Sequence, residues 1–246
     1  MYDRMKYAVI AAGEGSRLAA EGVEAPKPLV KVGGEQLIDR LIRVFMANGA
    51  EEIVVICNDL TAQVSLHLVK LQQDGLEGRP VPLRFVVKST PSSMHSFFEI
   101  SSYLGDGPFC LTTVDTIFRE EEFGRYIAAF SAAVESGEAD GMMGVTDYID
   151  DEKPLYVGVD EGMNITGFLD KSDDCRYISG GIYGLTAAAI DTLKGCMERG
   201  ESRMRNFQRA LIKDGRRLKA YPFSKVLDID HAGDIVKAEE FISEGD

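Results

Sequence analysis

Lys6 to Gly34 reads KYAVIAAGEGSRLAAEGVEAPKPLVKVGG, and its order of apolar run, glycine turn and proline-flanked lysine decides the fold. Tyr7 to Ala12 has the length and composition of a strand buried on both faces of a parallel sheet. Gly13 and Gly15 then let the chain turn sharply with backbone N–H groups exposed, and such groups bind anions. Ser16-Arg17-Leu18 reads as the first turn of a short helix whose positive end faces the same anion, with the Arg17 guanidinium able to grip two phosphate oxygens. Lys27 supplies a second cation from a segment stiffened by Pro26 and Pro28. The stretch is therefore read as a cradle for a polyphosphate.

Two other glycine-rich phosphate loops are excluded by spacing. A P-loop needs G-x-x-x-x-G-K-[ST], which the residues after Gly13 do not supply. A dinucleotide fingerprint closes on Gly or Ala, whereas Leu18 stands in that position and is too large for close helix–strand packing. The full string AAGEGSRL, residues 11–18, followed by Pro26-Lys27-Pro28-Leu29, resembles the sugar-phosphate nucleotidylyltransferases, whose signature runs AGGxGxRL or AAGxGxRL and then PKPL. The resemblance implies that Ala11, Ala12, Gly13, Glu14, Gly15, Ser16, Arg17 and Lys27 bind the nucleotide. It implies the fold of the nucleotide-diphospho-sugar transferases: α/β, three-layered and Rossmann-like, around a mixed, mainly parallel sheet.

The rest of the chain agrees. Strand-like stretches at 6–12, 52–57, 83–88, 108–114, 140–146, 155–160, 164–170, 177–185 and 217–223 alternate with helical ones at 35–48, 60–73, 95–104, 121–136, 187–198, 203–214 and 232–243. Alternation at this spacing predicts βαβ units with right-handed crossovers in the first half. YVGVDEGMNITGFLDKS, from Tyr156, reads as a hairpin turning at Asp160-Glu161-Gly162, an antiparallel addition to the sheet. With 246 residues and no repeat or linker, the expectation is a single domain over 1–246, its nucleotide half at about 1–115 and its acceptor half at about 116–246.

Composition narrows the partners. The chain carries 27 Lys and Arg against 40 Asp and Glu, a net charge of −13, which argues against general affinity for nucleic acid or an anionic membrane. A protein this acidic binds polyphosphate by concentrating its cations or recruiting a metal. Cys57, Cys110, Cys175 and Cys196 show no C-x-x-C pairing, and Cys57 and Cys110, inside apolar strand-like runs, read as reduced core residues of a cytoplasmic protein. The apolar stretch of the amino-terminal MYDRMKYAVIAA is too short for a signal peptide, and no segment reaches transmembrane length. A homo-oligomer is left open.

Ligands of open α/β sheets sit beyond the carboxyl ends of the strands. There, after the strand at 108–114, Asp115 is placed to hold Mg²⁺, which takes one or two carboxylates plus substrate phosphates; its alternative is an Asx turn or a cap leading to Glu120. In the resembled family the matching position is the metal-binding aspartate. Leu227-Asp228-Ile229-Asp230-His231 resembles that family's D-x-D/G-T-P-x-D stretch, with His231-Ala232 in place of Thr-Pro. Strand alternation sends Asp228 and Asp230 to one face. The family pattern favours Asp228 as the second metal ligand, and Asp230 is the alternative, or a cap for the helix near Ala232.

Three further matches concern the substrates. Leu169-Asp170-Lys171-Ser172 resembles the EKP segment, implying Asp170 on a sugar hydroxyl and Lys171 on the acceptor phosphate. Ser179-Gly180-Gly181-Ile182-Tyr183 resembles the N-A/T-G-I/L-Y strand, where Gly180 lets the sugar lie against the backbone; read alone, Gly-Gly in a strand marks a bulge. In the base-recognition region the family's glutamine and glycine are absent, leaving Ser92 and Ser93 either to bond a base edge, a pyrimidine by preference, or to cap the following helix. His67, His95 and His231 form no catalytic constellation, and none is needed, because an acceptor phosphate with a second pKa near ~6 is already a dianion at neutral pH. The reading is an Mg²⁺-dependent transfer of NMP from an NTP to a phosphorylated sugar or small alcohol, with Arg17, Lys27 and Lys171 as catalytic cations. Its alternative is a non-catalytic nucleotide-sugar sensor of the same fold. A nicotinamide enzyme is disfavoured by Leu18 and by the lack of a well-placed acid after 52–57.

Overall fold

A computed structural model of the chain describes residues 4–244; the outermost residues of the expected 1–246 domain, 1–3 and 245–246, lie outside them. The chain runs through β1 (Met5–Ala11), α1 (Ser16–Ala20), a 3₁₀ turn at Lys27–Leu29, β2 (Lys31–Val32), β3 (Glu35–Gln36), α2 (Leu37–Ala47), β4 (Ala50–Cys57), α3 (Ala62–Asp74) and β5 (Leu83–Val87). It continues through α4 (Ser93–Ser101), β6 (Phe109–Thr113), β7 (Thr116–Ile117), α5 (Glu120–Glu135), β8 (Gly141–Thr146), β9 (Tyr156–Val159) and β10 (Ile165–Leu169). The last part holds β11 (Tyr177–Leu185), α6 (Ala187–Glu198), α7 (Met204–Lys213), β12 (Leu218–Phe223), β13 (Leu227–Asp228) and α8 (Ala232–Ser243).

The main sheet has the order β10-β9-β11-β6-β1-β4-β5, and β8 joins it by pairing with β11 and β12. β6, β1, β4 and β5 are parallel, while β11 is antiparallel to β6 and β8 to β11. The sheet is mixed and mainly parallel over its amino-terminal half, as the sequence predicts, and β9 and β10 form the expected hairpin. Asp160 closes that turn, its carboxylate accepting from the N–H groups of Gly162 and Asn164 at 2.9 Å each.

Helices cover both faces of the sheet, and β1 shows why its sequence is an unbroken apolar run. Tyr7, Val9 and Ala11 pack into one core with α2, α3, α5 and α8, whereas Ala8 and Ile10 pack into the other with α4, α6 and α7. Tyr7 stacks on Phe45 with ring centroids 4.5 Å apart, and its hydroxyl donates to the Asn48 carbonyl at 2.7 Å, so its one polar atom is satisfied.

Differences from the sequence reading are short elements. Residues 35–36 belong to β3 rather than to the helix expected from 35, because Gly33 and Gly34 at φ 61° and 85° make a tight turn that pairs them with β2. The helix expected at 95–104 is α4, Ser93–Ser101. β7 and β13 are only two residues each, and they pair antiparallel with Asp228 opposite Thr116.

Candidate active site

The glycine turn leaves β1 and packs directly on the proline segment. Gly15 has φ 64°, and a Cβ there would stand 3.3 Å from the Lys27 Cβ, so the two halves of the signature close on each other at a point where a side chain does not fit. Asn58, at the end of β4, donates to the carbonyls of Ala12 and Gly13 at 3.3 and 3.1 Å. With those carbonyls held, the N–H groups of Gly13, Glu14 and Gly15 make no hydrogen bond to the described residues, as a backbone anion site requires. α1 has only five residues. Its dipole is correspondingly small, so anion binding here would fall to the loop amides and Arg17.

Lys27 is the centre of the charge arrangement. Its Nζ donates to Asp115 Oδ2 at 2.6 Å and to Asp230 Oδ1 at 2.9 Å, with only 12% of the side chain exposed. Arg17 Nη2 reaches the same Asp230 oxygen at 3.2 Å. Burial pulls the Lys27 pKa down, and Asp115 and Asp230 more than offset it, so Lys27 titrates above its ordinary range. Asp230 is held below its ordinary value, its desolvation outweighed by Lys27 and Arg17 together.

Asp228 sits beside this cluster and has no ion-pair partner among the described residues. Thr116 Oγ1 donates to it at 3.4 Å and shares a 2.7 Å bond with Thr113, while Ile229 N–H bonds to the Asp115 carbonyl at 3.1 Å. These links hold the segment carrying Asp228 and Asp230 against the end of β6. Asp228 is crowded by protein yet stays open to solvent through a cavity that it lines. Burial, then the charges of Asp115, Asp230 and Asp151, push its pKa well above the carboxylate range, against a smaller opposing pull from Lys27.

That cavity, of about 220 Å³, is lined by Arg17, Ser179, Gly180, Asp228 and Asp230, together with Asp150, Asp151 and Glu152. Asp150 is tied to Lys237 of α8 at 2.7 Å. Gly180 and Gly181 lie at a register break between β11 and β8, and Gly181 has φ 70° with both Thr113 and Thr116 hydroxyls within 3.2 Å of where a Cβ would be. The Gly-Gly pair is thus a bulge that bends β11 around Thr116, and Gly180 still faces the cavity.

Other expected residues lie elsewhere. Asp170 and Lys171 do not join the Asp115 cluster but line a neighbouring cavity, where the Asp170 oxygens accept from Arg205 and Arg209 of α7 at 2.6 and 2.8 Å. The two guanidiniums, Arg209 first, hold Asp170 below its usual pKa. Ser92 is the N-cap position of α4 without capping it; its Oγ bonds His95 Nδ1 at 2.8 Å and accepts from Arg203 N–H at 3.2 Å. Ser93 opens the helix. Asp230 does not cap α8, because its carboxylate is taken by Lys27 and Arg17; Asp234 instead accepts from the N–H groups of Asp230 and His231 at 3.1 and 2.8 Å.

The chain matches the nucleotidyl transferase family over residues 6–245. It belongs to that family. It is 30% identical over 53 residues to glucose-1-phosphate cytidylyltransferase of Salmonella typhimurium, a match covering 22% of this chain and 21% of that protein. It is also 30% identical over 125 residues to N-acetylmuramate alpha-1-phosphate uridylyltransferase of Caulobacter vibrioides, covering 51% of each. The chain thus matches from about a fifth to half of the length of these relatives. The inositol-1-phosphate CTP transferase from T. maritima shares its fold, with a TM-score of 0.72 at 21% identity over 98% of both chains.

Against this family background, sequence reasoning missed Asn58, Glu21 and Asp230's partners. Glu21, just after α1, accepts from the Ala232 N–H and bonds His231 Nδ1, both at 2.6 Å, so it links α1 to the start of α8. An acid in a turn gives no such signal, because its partner lies 210 residues away.

Proposed function

We propose that the protein transfers a nucleoside monophosphate from a pyrimidine NTP to a phosphorylated sugar or related small alcohol and releases pyrophosphate. The observation that carries this reading is the meeting of Lys27 with Asp115 and Asp230 beside the glycine turn, with Asp228 one step across the β7–β13 ladder. Family membership and the cytidylyl and uridylyl names of its relatives support the reaction and the choice of base.

In this reading residues up to about 115 bind the nucleotide and the remainder the acceptor. The amides of Gly13 to Gly15 and Arg17 hold the β- and γ-phosphates, and Lys27 moves from its carboxylate partners to the α-phosphate as negative charge develops there. The acceptor phosphate enters the cavity beside Gly180 and Asp228. One of its oxygens bonds to the α-phosphorus as the bridging P–O bond to the β-phosphate breaks; no general base is required, because the attacking oxygen carries no proton. Asp115 and Asp228 would hold Mg²⁺. The fit rests on the donor set: two hard carboxylates, one of them short of compensating positive charge, suit a cation that completes its shell with waters and phosphate oxygens. Bound there, the ion would neutralise charge on the phosphoryl oxygens.

Among the described residues no helix is long and apolar enough to cross a membrane, and all four cysteines are free thiols. We place the reaction in the cytoplasm on that chemistry. Pyrophosphate release measured with CTP, UTP and dTTP against sugar 1-phosphates, inositol 1-phosphate and phosphocholine tests the proposal. Release that needs both substrates and is lost with EDTA is expected; tight binding of a nucleotide-sugar with no release would make the protein a sensor.

A further inference from the structure

The pairing of β1 with β4 ends at Ala11 and Cys57, and the residue that follows Cys57 is Asn58. Asn58 is 9% exposed although Asp59 and Leu60 beside it are exposed, so its side chain turns inward where the chain leaves the sheet. A buried amide needs partners, and both polar atoms of this one have them. Oδ1 accepts from the Leu60 N–H at 3.1 Å, closing a turn on the residue's own backbone. Nδ2, which carries two N–H groups, donates to the Ala12 and Gly13 carbonyls at 3.3 and 3.1 Å. The side chain therefore carries on, past the last backbone pair, the hydrogen bonding of the β1–β4 ladder.

Peptide geometry turns these two bonds into an orientation. Across a trans peptide the C=O and N–H groups lie in one plane and point in opposite directions. The Ala12 carbonyl shares its plane with the Gly13 N–H, and the Gly13 carbonyl shares its plane with the Glu14 N–H. With both carbonyls turned to Asn58, both N–H groups face away from it, and neither makes a hydrogen bond to the described residues. Packing does not hold these planes, because no heavy atom stands within 4 Å of where a Cβ on Gly13 would be. A plane that rotated would offer a carbonyl oxygen to a phosphate and turn attraction into repulsion. Asn58 itself is pinned from the next strand: Ser89, just past β5, donates to the Asp59 carboxylate, and the Lys88 N–H donates to the Cys57 carbonyl at 2.8 Å.

We propose that Asn58 is the positioning residue of the glycine loop. It touches no phosphate, and aims the Gly13 and Glu14 N–H groups at the pyrophosphate end of the nucleotide. The inference rests on the transferase reading and assigns what orients the site for the leaving group. An amide is the group this task requires. A carboxylate of the same shape has no donor and sets a negative charge against two carbonyl oxygens, and an apolar side chain of the same size fills the space while leaving both carbonyls unheld.

Asn58→Leu and Asn58→Asp test it, each compared with the wild type by calorimetric titration with inorganic pyrophosphate in the presence of Mg²⁺ and by initial rates. The Kd for pyrophosphate and the KM for the NTP are expected to rise together by about tenfold or more, the scale of misaiming two charge-assisted hydrogen bonds, while the KM for the acceptor phosphate changes by less than about twofold. In ¹H–¹⁵N spectra, pyrophosphate at a concentration that saturates the wild type should move the Gly13 and Glu14 amide resonances there, and move them less in both variants. A side chain that only packs would change Tm without changing those shifts or the ratio of the two KM values. Asn58→Ser, smaller and still a donor, should bind pyrophosphate with intermediate affinity, and it carries the test if the other two variants do not fold. Pyrophosphate binding unchanged in the variants, or an equal rise in both KM values, overturns this inference and leaves the transferase standing. A wild type that neither binds pyrophosphate nor releases it from any NTP defeats both.

Discussion

Lys27 Nζ and Asp115 Oδ2 lie 2.6 Å apart although 88 residues separate them, and this contact joins the glycine turn to the end of β6. The ammonium compensates two carboxylates in the ligand-free protein, and in the proposed reaction it turns to phosphate oxygens. Lys27→Ala is expected to lower kcat/KM for pyrophosphate release by about 10²-fold or more, the scale of losing one preorganised donor to a transition state. A circular dichroism spectrum like that of the wild type would locate the loss in chemistry. Stability should fall as well, because Asp115 and Asp230 are left without their main cation.

Asp228 carries the opposite liability. Its proton affinity is raised by folding, so its ionisation costs stability from its ordinary pKa of 3.8 upward, and at neutral pH the folded protein bears that cost. Asp228→Asn should raise Tm at pH 7, while activity collapses. The gain should vanish below pH 3.8, where both forms are neutral. Addition of Mg²⁺ should raise the Tm of the wild type and leave that of the variant in place.

The Glu21–His231 link gives a pH signature. Its hydrogen bond to Glu21 raises the His231 pKa above 6.5, so that contribution is complete below 6.5 and is lost as pH rises through the folded value. Glu21 is lowered from 4.5 by the same bond, so its share is complete above 4.5 and is lost as pH falls through the folded value. The Tm difference between wild type and His231→Ala should therefore peak between pH 4.5 and 6.5 and shrink on both sides. A difference that grows above pH 8 would contradict the pairing.

Gly15→Val forces a β-branched residue to φ 64° and drives its Cβ toward Lys27. Strain of that kind costs about 1–3 kcal/mol. The larger effect should be on KM for the nucleotide, since the loop amides and Lys27 are displaced together. Thermal melts and initial rates on one preparation separate the two.

Much of this architecture could be read from the chain because the strands of the main sheet are long apolar runs or clear alternations. All nine expected strands match observed ones to within two residues at each end. The β7–β13 ladder was invisible for the opposite reason: two residues carry no periodicity, yet the ladder sets Asp228 opposite Thr116. Alternation placed Asp228 and Asp230 on one face but could not divide their roles, which depend on Lys27 arriving from 203 residues earlier. Asp170 was matched to the family's EKP segment, and its bonds to Arg205 and Arg209 stayed hidden because α7 lies 35 residues or more downstream.

Transfer of the α-phosphoryl group from nucleotide to acceptor can be followed by a label on that phosphorus. With CTP or UTP labelled at the α-phosphate and an acceptor from the panel, the label should appear in a nucleotide-linked acceptor, one pyrophosphate being released for each label transferred. Label found in a nucleoside diphosphate with orthophosphate released, or left in the NTP while a nucleotide-sugar binds, would contradict the account.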